Sequence, residues 1–333
     1  MTTFPDLLRS KDGFLLTGHE NPDGDCLGAQ AALFHLLRAL GKQVHIVNPD
    51  PVGKSFDFLA RHTPFGDVRS EPKLPPFEVA ILLDCSQLSR VGLLGQRLQQ
   101  SGKTIAVIDH HVGSDRGDGT VCYVDPTAAA TGALVRRLHR ELGVPLSAAA
   151  AEGVFLSLVA DTGWFRYSNA DAEVFAMASE LVASGVDGSR IYDSLYRRNH
   201  PDSATLLAES LQRHRLRLGG RLAIASLDKQ LMERAARIDF DTDAILDPLR
   251  SLEGIEVVAL LKERFDGTVK VSLRSRADVD VQAIVAQFGG GGHKKAAGAT
   301  LKIGLAAAEL AIEQAVQQAL LHTAAQNGSG RPQ

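Results

Sequence analysis

The sequence has little cysteine, no long apolar run and no strong excess of one charge, and each absence excludes a class of protein. Its three cysteines are scattered among 333 residues, which excludes a disulfide framework or a CxxC zinc knuckle. No apolar run approaches the ~18 residues of a membrane helix. The first residues, MTTFPDLLRSKDG, lack the basic and apolar regions of a secretory signal. We therefore expect a cytoplasmic protein that does not enter a membrane.

The charge balance limits the partners that the protein can bind. A formal net charge of −3 excludes a protein that coats long nucleic acid by bulk electrostatics, although a local basic patch can still bind a few phosphates. With 44% apolar and 23% charged residues, the composition is that of a packed globular chain. The length suits about two domains.

The first half of the chain alternates short apolar runs with helical stretches. The runs FLLT at 14–17, VHIV at 44–47, VAILL at 79–83 and TIAVI at 104–108 predict strands. Helices are predicted at 26–40, 130–143, 147–160 and 171–184. This alternation predicts an α/β fold with a doubly wound, mainly parallel sheet, whose ligand crevice lies at the carboxyl ends of the strands.

The second half begins with an arginine-rich segment at 188–217, which we interpret as a basic helical connector. A solvated helix face is an equally good interpretation of this charge run. A smaller α/β unit follows, with strands predicted at 221–227, 255–263 and 269–275, a helix near 280–287 and a final helix at 306–322. The tail, QNGSGRPQ, is expected to be frayed.

Acidic residues and histidines form four clusters, each of which we place at the end of a predicted strand. The clusters are His19, Asp23 and Asp25; Asp84; Asp109, His110 and His111; and Asp161. A single carboxylate at such a position is commonly a helix N-cap, but this role does not account for all four clusters. Because the ends of parallel strands converge at one edge of the sheet, we expect the clusters to share a crevice.

Five carboxylates in one crevice repel one another unless cations lie between them. Oxygen ligands mixed with imidazole favour Mn²⁺, with Mg²⁺, Fe²⁺ or Co²⁺ as alternatives, and the absence of thiolate ligands argues against structural zinc. We interpret the neighbouring Cys26 and Cys85 as small core residues. Two metal ions ~3.5–4 Å apart can stabilise the attacking and leaving oxygens of a phosphoester displacement, so the constellation predicts phosphoester hydrolysis.

The same segments resemble a known family. GHENPDGD, LLDCS, IDHH and VADTG resemble the four motifs of the DHH phosphoesterase superfamily, and FGGGGHKKAAG at 288–298 with VSLRS at 271–275 resembles the DHHA1 signature. In size the chain is similar to the bacterial group of oligoribonucleases and 3′-phosphoadenosine 5′-phosphate (pAp) phosphatases, the nanoRNases. The implied organisation is a DHH catalytic domain at 1–187, a basic helical linker at 188–218, a DHHA1 substrate-binding domain at 219–324 and a flexible tail at 325–333.

The resemblance implies a role for each clustered residue. The ligands implied for one metal ion are His19, Asp23 and Asp84. Those implied for the other are Asp25, Asp84, His110 and Asp161, so that Asp84 bridges. Asp109 would orient an imidazole, and His111 would face the scissile phosphate as a hydrogen-bond donor or general acid.

In the second domain the resemblance implies a site for the nucleotide portion of the substrate. A glycine run is usually a flexible turn, but its bare N–H groups can also hold a phosphate, and an arginine offers a bidentate fork. The residues implied to contact the substrate are Arg274, Ser275, Gly290, Gly291, Gly292 and His293.

The resemblance implies hydrolysis of short single-stranded RNA or DNA, of about two to five nucleotides, to nucleoside 5′-monophosphates, and dephosphorylation of pAp to AMP. A phosphodiesterase for cyclic dinucleotides of the c-di-AMP type or for linear pApA is the alternative within the same class, and a nucleic-acid-binding module is the alternative outside it. The resemblance also makes a homodimer plausible. For Trp164, the only tryptophan, base stacking and core packing both remain open.

Overall fold

A computed structural model of the chain describes residues 3–70, 73–114, 120–197, 199–276 and 278–328. The chain divides into two compact units, Met1–Arg198 and Asn199–Gln333. This division falls within the segment 188–218 that the sequence predicts as a linker. Among the described residues, no helix combines the length and the apolar character that a membrane span requires.

The N-terminal unit contains eight helices and one sheet among its described residues. The helices are α1 (Phe4–Ser10), α2 (Gly24–Ala39), α3 (Asp57–Ala60), α4 (Gly92–Gln100), α5 (Thr131–Leu142), α6 (Ala148–Asp161), α7 (Ala172–Ala183) and α8 (Gly188–Tyr196). The strands are β1 (Phe14–Thr17), β2 (Val44–Asn48), β3 (Phe65–Asp67), β4 (Val79–Leu83), β5 (Thr104–Asp109) and β6 (Val121–Val124). They form a sheet in the order β3-β2-β1-β4-β5-β6, and every neighbouring pair is parallel.

Helices cover both faces of this sheet. Phe14 and Leu16 of β1 belong to an apolar core with α2, α5 and α6, whereas Leu15 belongs to a second core with Leu94 and Leu98 of α4. All five residues of β4 are buried, as expected for a strand that is covered on both sides. The prediction of a doubly wound, mainly parallel sheet is therefore confirmed.

The strand order determines where a ligand can bind. The chain winds from β1 outward to β3 and then returns to place β4 on the other side of β1. The winding direction therefore reverses between β1 and β4, and the loops that leave these two strands diverge to leave a crevice at their carboxyl ends. The clusters that begin at His19 and at Asp84 follow these two strands directly.

One placement of the sequence analysis is wrong. Asp161 is the last residue of helix α6 and does not end a strand. The short edge strands β3 and β6 were not predicted, because their residues are only partly buried and lack a continuous apolar run.

The C-terminal unit is built on a mixed sheet. Its helices are α9 (Asp202–Gln212), α10 (Lys229–Arg237), α11 (Leu246–Arg250), α12 (Val281–Ala286) and α13 (Leu305–Gly328). Its strands are β7 (Arg215–Arg217), β8 (Leu222–Leu227), β9 (Val257–Glu263), β10 (Val269–Ser275), β11 (Gly291–His293) and β12 (Ala296–Leu301). The order is β11-β12-β10-β9-β8-β7, with β8 and β9 parallel and the other pairs antiparallel. The expected α/β character is confirmed.

The structure differs from the sequence prediction at both ends of this unit. Within the predicted connector, α8 and α9 are helical, but Arg215–Arg217 is the edge strand β7. The glycine run, for which a flexible turn was one interpretation, contributes Gly291 and Gly292 to a hairpin of β11 and β12. The predicted tail at 325–333 begins inside α13, and residues 329–333 lie outside the described residues.

The arginines of the predicted connector are engaged by carboxylates of the chain. Arg190 pairs with Glu152, Arg213 with Glu209 at 2.8 Å and Arg215 with Glu309 at 2.9 Å. Arg198 lies outside the described residues. These ion pairs favour the interpretation of the charge run as solvated helix and strand surface.

Helices α2 and α6 approach each other so closely that only glycine fits between them. A Cβ on Gly28 would lie 2.3 Å from the carbonyl oxygen of Gly153, and a Cβ on Gly153 would lie 2.6 Å from the carbonyl oxygen of Gly28. Because α2 begins with Asp25 in its first turn and α6 ends with Asp161, this contact also sets the separation of two candidate ligands.

We expect Gly28→Ala to lower the free energy of unfolding by about 1–3 kcal/mol, because the added methyl group forces the two helices apart. Urea denaturation measures the change. The control is Gly53→Ala, at an exposed position with φ of −66° and no neighbouring atom closer than 3.9 Å, which should change stability by less than about 0.5 kcal/mol. Equal stability of the two variants would contradict this account.

Candidate metal centre

The carboxyl end of the first sheet brings the predicted metal ligands together. In the described part of the chain, three groups of side chains place ligand atoms within 4.8 Å of one another. The groups are His19, Asp23 and Asp84; Asp25, His110 and Asp161; and Asp84, His110 and His111. All six predicted ligands are therefore present in one cluster, and Asp84 and His110 each belong to two groups.

The loop between β1 and α2 supplies two of these side chains. Asp23 caps α2 with Oδ1, which accepts hydrogen bonds from the backbone N–H groups of Asp25 at 3.0 Å and Cys26 at 3.1 Å. Its other oxygen, Oδ2, lies 3.8 Å from Nε2 of His19. Asp23 can therefore be both the N-cap of α2, through Oδ1, and a member of the cluster, through Oδ2.

Asp25 is fully buried and is held by hydrogen bonds from the sequence-distant helices α5 and α6. Its carboxylate accepts from the backbone N–H groups of Thr131 at 2.8 Å and Gly132 at 3.2 Å, and from the hydroxyl of Ser157. Ala130, which precedes α5, provides no side-chain cap. Asp25, which lies on α2, caps the N-terminus of α5 instead. These three donors were not predicted from the sequence; the available signal was that no capping residue precedes helix α5.

Asp84 occupies the centre of the cluster in an uncommon backbone conformation. Its φ of +60° lies in the left-handed region, which non-glycine residues rarely adopt outside sites where the surrounding structure imposes it. The side chain is 3% exposed and accepts a hydrogen bond from Thr131 Oγ1 at 3.1 Å. Oδ2 lies 3.3 Å from His19 Nε2 and Oδ1 lies 3.6 Å from His110 Nε2, so each oxygen faces a different histidine.

The two histidines are each oriented by a backbone carbonyl. Nδ1 of His19 lies 2.8 Å from the carbonyl oxygen of Glu20, and Nδ1 of His110 lies 3.1 Å from that of Ala128. An N–H at Nδ1 can donate to each carbonyl, which leaves Nε2 directed at the carboxylates, the arrangement common for imidazole ligands of metals.

Nε2 of His110 is the clearest indication of a cation site. This atom is buried and makes no hydrogen bond within the described structure. It lies 3.0 Å from Oδ2 of Asp161, 3.5 Å from Oδ2 of Asp25 and 3.6 Å from Oδ1 of Asp84. Neighbouring ligands of an octahedral ion, at about 2.1 Å from the ion, are roughly 3 Å apart. The spacing and the donor types therefore fit a divalent metal ion.

His111 is held differently from its neighbour. Its Nδ1 lies 2.7 Å from Oδ1 of Asp109, which also accepts from the backbone N–H of His111 at 3.1 Å, while Ser114 donates to Oδ2. Burial would raise the pKa of Asp109, but the hydrogen bonds from His111 and Ser114 outweigh burial and lower this pKa. The imidazole that the sequence expected Asp109 to orient is therefore His111.

The crowding of acids shifts the pKa values of the carboxylates. Burial, followed by the charges of Asp84 and Asp161, raises the pKa of Asp25 well above its ordinary value. Burial and the charge of Asp84 also raise the pKa of Asp23. Without a cation, Asp23 and Asp25 therefore retain their protons to higher pH than ordinary aspartic acids do.

The pKa values of His19 and His110 are raised although burial acts against both shifts. Burial alone would lower the pKa of His110, but the close approach of Asp161 and the charges of the other carboxylates raise it to about 10. Burial would likewise lower the pKa of His19. The hydrogen bond with Asp84 and the charge of Asp23 outweigh burial and raise this pKa above its ordinary value. In the metal-free protein His110 is thus a cation at neutral pH.

The cysteines beside the cluster are core residues, as expected. Cys26 and Cys85 are fully buried, and burial raises the pKa of both thiols. Neither belongs to a group of ligand atoms among the described residues.

The predicted substrate residues of the C-terminal unit lie on β10 and on the hairpin of β11 and β12. Arg274 is partly exposed, with Nη2 3.7 Å from Oδ2 of Asp243. Ser275, in contrast, is 3% exposed, and its hydroxyl lies 3.4 Å from the carbonyl oxygen of Lys294, because successive side chains of a strand face opposite sides. Its geometry suits support of the hairpin better than direct contact with a ligand.

The local geometry requires glycine at some positions in and beside this hairpin and not at others. A Cβ on Gly290 would lie 2.4 Å from the carbonyl oxygen of Gly298, and Gly292 has a φ of +138°. Gly291 has open space around it, and His293 is exposed. A surface cavity of about 450 Å³ adjoins this strand, and its lining includes Lys270, Gly289, Gly290, Gly291, Gly298, Ala299 and Thr300.

Comparison with known proteins assigns both units. Residues 14–158 match the DHH family, N-terminal domain, and residues 233–321 match the DHHA1 domain. The parallel sheet, the cluster of carboxylates and imidazoles, and the second α/β unit define the class as a two-unit phosphoesterase. The chain belongs to the DHH family, with a DHHA1 domain, as the sequence motifs indicated.

The relatives share most of the length of the chain. The bifunctional oligoribonuclease and PAP phosphatase NrnA of Thermus thermophilus is 35% identical over 91% of this chain and 88% of that protein. The cyclic-di-AMP phosphodiesterase GdpP of Geobacillus thermodenitrificans is 28% identical over 89% of this chain but only 46% of that protein. An exopolyphosphatase-related protein of Bacteroides fragilis has a TM-score of 0.86 at 23% identity, over 95% of this chain and 94% of that one, which shows a common fold.

Loading the metal-free protein with Mn²⁺ at pH 8 should release at least one proton per protein molecule. His110, whose pKa is raised to about 10, is protonated at this pH, whereas a metal ligand must be a neutral imidazole. Calorimetric titration in two buffers of different ionisation enthalpy measures the proton count, with protein already saturated with Mn²⁺ as the control. Saturable binding without proton release would contradict this electrostatic picture.

Proposed function

We propose that the protein hydrolyses short single-stranded oligonucleotides of about two to five nucleotides to nucleoside 5′-monophosphates, and that it also dephosphorylates pAp to AMP. The observation that carries this proposal is the 35% identity, over nearly the whole of both chains, to the T. thermophilus protein named for these two activities. The gathering of all six predicted ligand residues in one cluster supports it, since the relative's name describes phosphoester chemistry.

A cyclic dinucleotide phosphodiesterase is the second candidate. The similarity to a protein named as a cyclic-di-AMP phosphodiesterase supports it, but identity is lower and the chain spans less than half of that protein. The same cluster of ligands suits both reactions, because each breaks a phosphoester bond between nucleotides. The choice therefore depends on substrate selection.

We infer that the cluster holds two divalent ions, with Mn²⁺ favoured over Mg²⁺, Co²⁺ and Fe²⁺. The residues assigned to one ion are His19, Asp23 and Asp84, and those assigned to the other are Asp25, Asp84, His110 and Asp161. The two oxygens of Asp84, which face different histidines, support its role as the bridge. Such a pair of ions stabilises the charge on the attacking and leaving oxygens of the phosphoester.

We assign proton transfer, or hydrogen bonding to the phosphate, to His111. Its Nδ1 lies 2.7 Å from Oδ1 of Asp109, and this contact fixes the orientation of the ring. Nε2 is then the atom that can donate to a substrate oxygen. In this assignment Asp109 is a positioning residue, and Ser114 holds it in place.

In the C-terminal unit we assign Arg274, His293 and the backbone of Gly290–Gly292 to the nucleotide portion of the substrate. The exposed backbone of the β11 edge strand offers N–H groups, and the guanidinium offers a bidentate fork for a phosphate. Ser275 supports the hairpin through Lys294. The homodimer and the cytoplasmic location remain predictions.

A substrate panel tests the proposed function. RNA dinucleotides, RNA of about twenty nucleotides, pAp and cyclic di-AMP are compared by kcat/KM with Mn²⁺ present. The proposal expects the dinucleotide and pAp to be turned over, with the dinucleotide preferred to the long RNA. A kcat/KM that is highest for cyclic di-AMP would favour the second candidate, and no turnover of any of the four would reject both.

The triplet Asp109, His110 and His111 yields a prediction that separates binding from chemistry. His111→Ala should retain both ions and lower kcat by roughly 10²–10⁴-fold, the usual range for loss of a proton-transfer group. His110→Ala should lose one of the two ions as well as activity. Metal analysis of the two purified variants, with single-turnover rates, checks both. If His111→Ala loses an ion and His110→Ala does not, the assignment within the triplet is reversed.

Removal of Arg274 should affect substrate binding and leave the metal centre intact. We expect Arg274→Ala to raise KM for a dinucleotide by an amount equivalent to roughly 1.5–3 kcal/mol, the usual contribution of hydrogen bonds to charged groups. Bis-p-nitrophenyl phosphate, which lacks the nucleotide groups, should be hydrolysed nearly as before. Equal losses on both substrates, or loss of bound metal, would show that Arg274 acts on the catalytic cluster instead.

A further inference from the structure

The tryptophan and most of the tyrosines of this protein are concentrated at one place. The chain has one tryptophan and four tyrosines among 333 residues. The tryptophan and three of the tyrosines, Trp164, Tyr167, Tyr192 and Tyr196, lie on α8 and on the loop that follows the candidate ligand Asp161. Neither the metal centre nor the proposed nucleotide contacts of the C-terminal unit use these side chains.

The loop after Asp161 has a backbone that its residue types do not favour. Gly163, Trp164 and Phe165 have φ values of +54°, +56° and +62°, and bulky side chains are rare in this left-handed region. The loop is fixed to the end of α6, because the backbone N–H of Trp164 donates to the carbonyl of Val159 at 2.8 Å. Strain of this kind is concentrated at ligand sites, where the surrounding structure maintains it.

The strained loop places the Trp164 ring against α8. Its ring meets that of Tyr192 edge-on, with centroids 5.0 Å apart, and that of Tyr196 at 6.2 Å. Phe155 packs on Trp164 at 6.3 Å. The tryptophan is therefore a support fixed between the core and the two tyrosines of α8.

The tyrosines themselves face outward. Tyr192 and Tyr196 are one helical turn apart, and their ring centroids are 4.9 Å apart at an interplanar angle of 46°. They are 40% and 47% exposed, whereas Ile191 and Ser194 on the same helix are buried. The chain thus exposes two adjacent rings that are held in place by a third.

An arginine side chain lies beside this aromatic surface. The guanidinium carbon of Arg197 lies 5.7 Å from the centroid of the Tyr192 ring, and the same side chain pairs with Asp193 at 3.0 Å. Aromatic faces combined with nearby arginine are typical of proteins that bind single-stranded nucleic acid without sequence preference, since every base has a face that can stack.

We propose that Tyr192 and Tyr196 form a stacking platform for a nucleobase of the oligonucleotide substrate, with Trp164 as its support and Arg197 at its rim. The proposal rests on the proposed function and extends it to base recognition in the N-terminal unit. A nucleobase is favoured over a protein partner because the exposed rings lie beside an arginine and because the supporting loop is continuous with Asp161 of the metal centre.

Kinetic measurements on base-deleted substrates test the platform. An RNA dinucleotide is compared with two analogues in which the first or the second base is replaced by hydrogen. For the intact dinucleotide, Tyr192→Ala and Tyr196→Ala should each raise KM by roughly 5- to 150-fold, the range for loss of one base–aromatic stack, and should change kcat much less. On one of the two base-deleted analogues the same variants should have no effect on KM.

Two further variants separate stacking from other effects. Tyr192→Phe retains the ring and should restore KM to within about twofold of the unmodified protein, because the face of the ring carries the interaction. Phe265→Ala removes a ring that is 67% exposed in the C-terminal unit, outside the platform, and should leave KM unchanged. A Tyr192→Ala variant that raises KM equally on all three substrates would overturn the proposal.

A binding assay without turnover distinguishes this proposal from the proposed function. A dinucleotide containing 2-aminopurine is titrated into metal-free protein, and stacking is read from quenching of its fluorescence. Quenching that Tyr192→Ala abolishes supports the platform even if the protein turns over no oligonucleotide. Turnover of oligonucleotides with quenching that Tyr192→Ala does not alter rejects the platform and leaves the proposed function in place. If light scattering shows that Tyr192→Ala instead dissociates a dimer, the patch is a contact between copies and the proposal fails.

Discussion

Mutual repulsion among buried carboxylates at the switch point of the parallel sheet is the constraint on which this structure depends. Asp25 and Asp84 are almost completely buried, and Asp23 and Asp161 lie beside them. Burial of like charges is unfavourable unless donors or cations compensate it. The N-terminus of α5 supplies N–H groups to Asp25, and the two histidines each direct Nε2 at carboxylate oxygens. A cluster of carboxylates and imidazoles with this spacing fits divalent cations, and the fold holds the cluster together.

Several features of the fold away from the site follow from this constraint. The glycine contact between Gly28 and Gly153 brings α2 and α6 to a separation at which Asp25 and Asp161 can face the same imidazole. The left-handed backbone of Asp84 turns its carboxylate so that each oxygen meets a different histidine. Close packing and backbone strain, which are unfavourable locally, are both found where they set distances between candidate ligands.

The sequence predicts the parts of this arrangement that local patterns determine. The buried strands, the residues that form the cluster and the family could be recognised because apolar runs and motif spacings are local properties. Asp161 was misplaced on a strand, and Thr131 and Ser157 were missed as donors to Asp25, since those bonds join residues more than 100 positions apart. The burial of Ser275 was missed for a different reason: a resemblance transfers a motif as a whole, whereas the alternation along β10 decides which of its side chains is exposed.

The low net charge of the chain is consistent with the way it is proposed to bind substrate. An enzyme that accepts any short oligonucleotide can use only features that all nucleotides share, namely the charge of the phosphate and the face of the base. A net charge of −3 offers little general attraction for phosphate, and several arginines are neutralised by carboxylates of the same chain. Attraction must therefore be local, and divalent cations in the carboxylate cluster would provide it. Because electrostatic attraction of long nucleic acid grows with the number of phosphates neutralised, a protein that attracts phosphate only at a few local sites gains little from additional nucleotides. This charge distribution favours short substrates before any steric limit is considered.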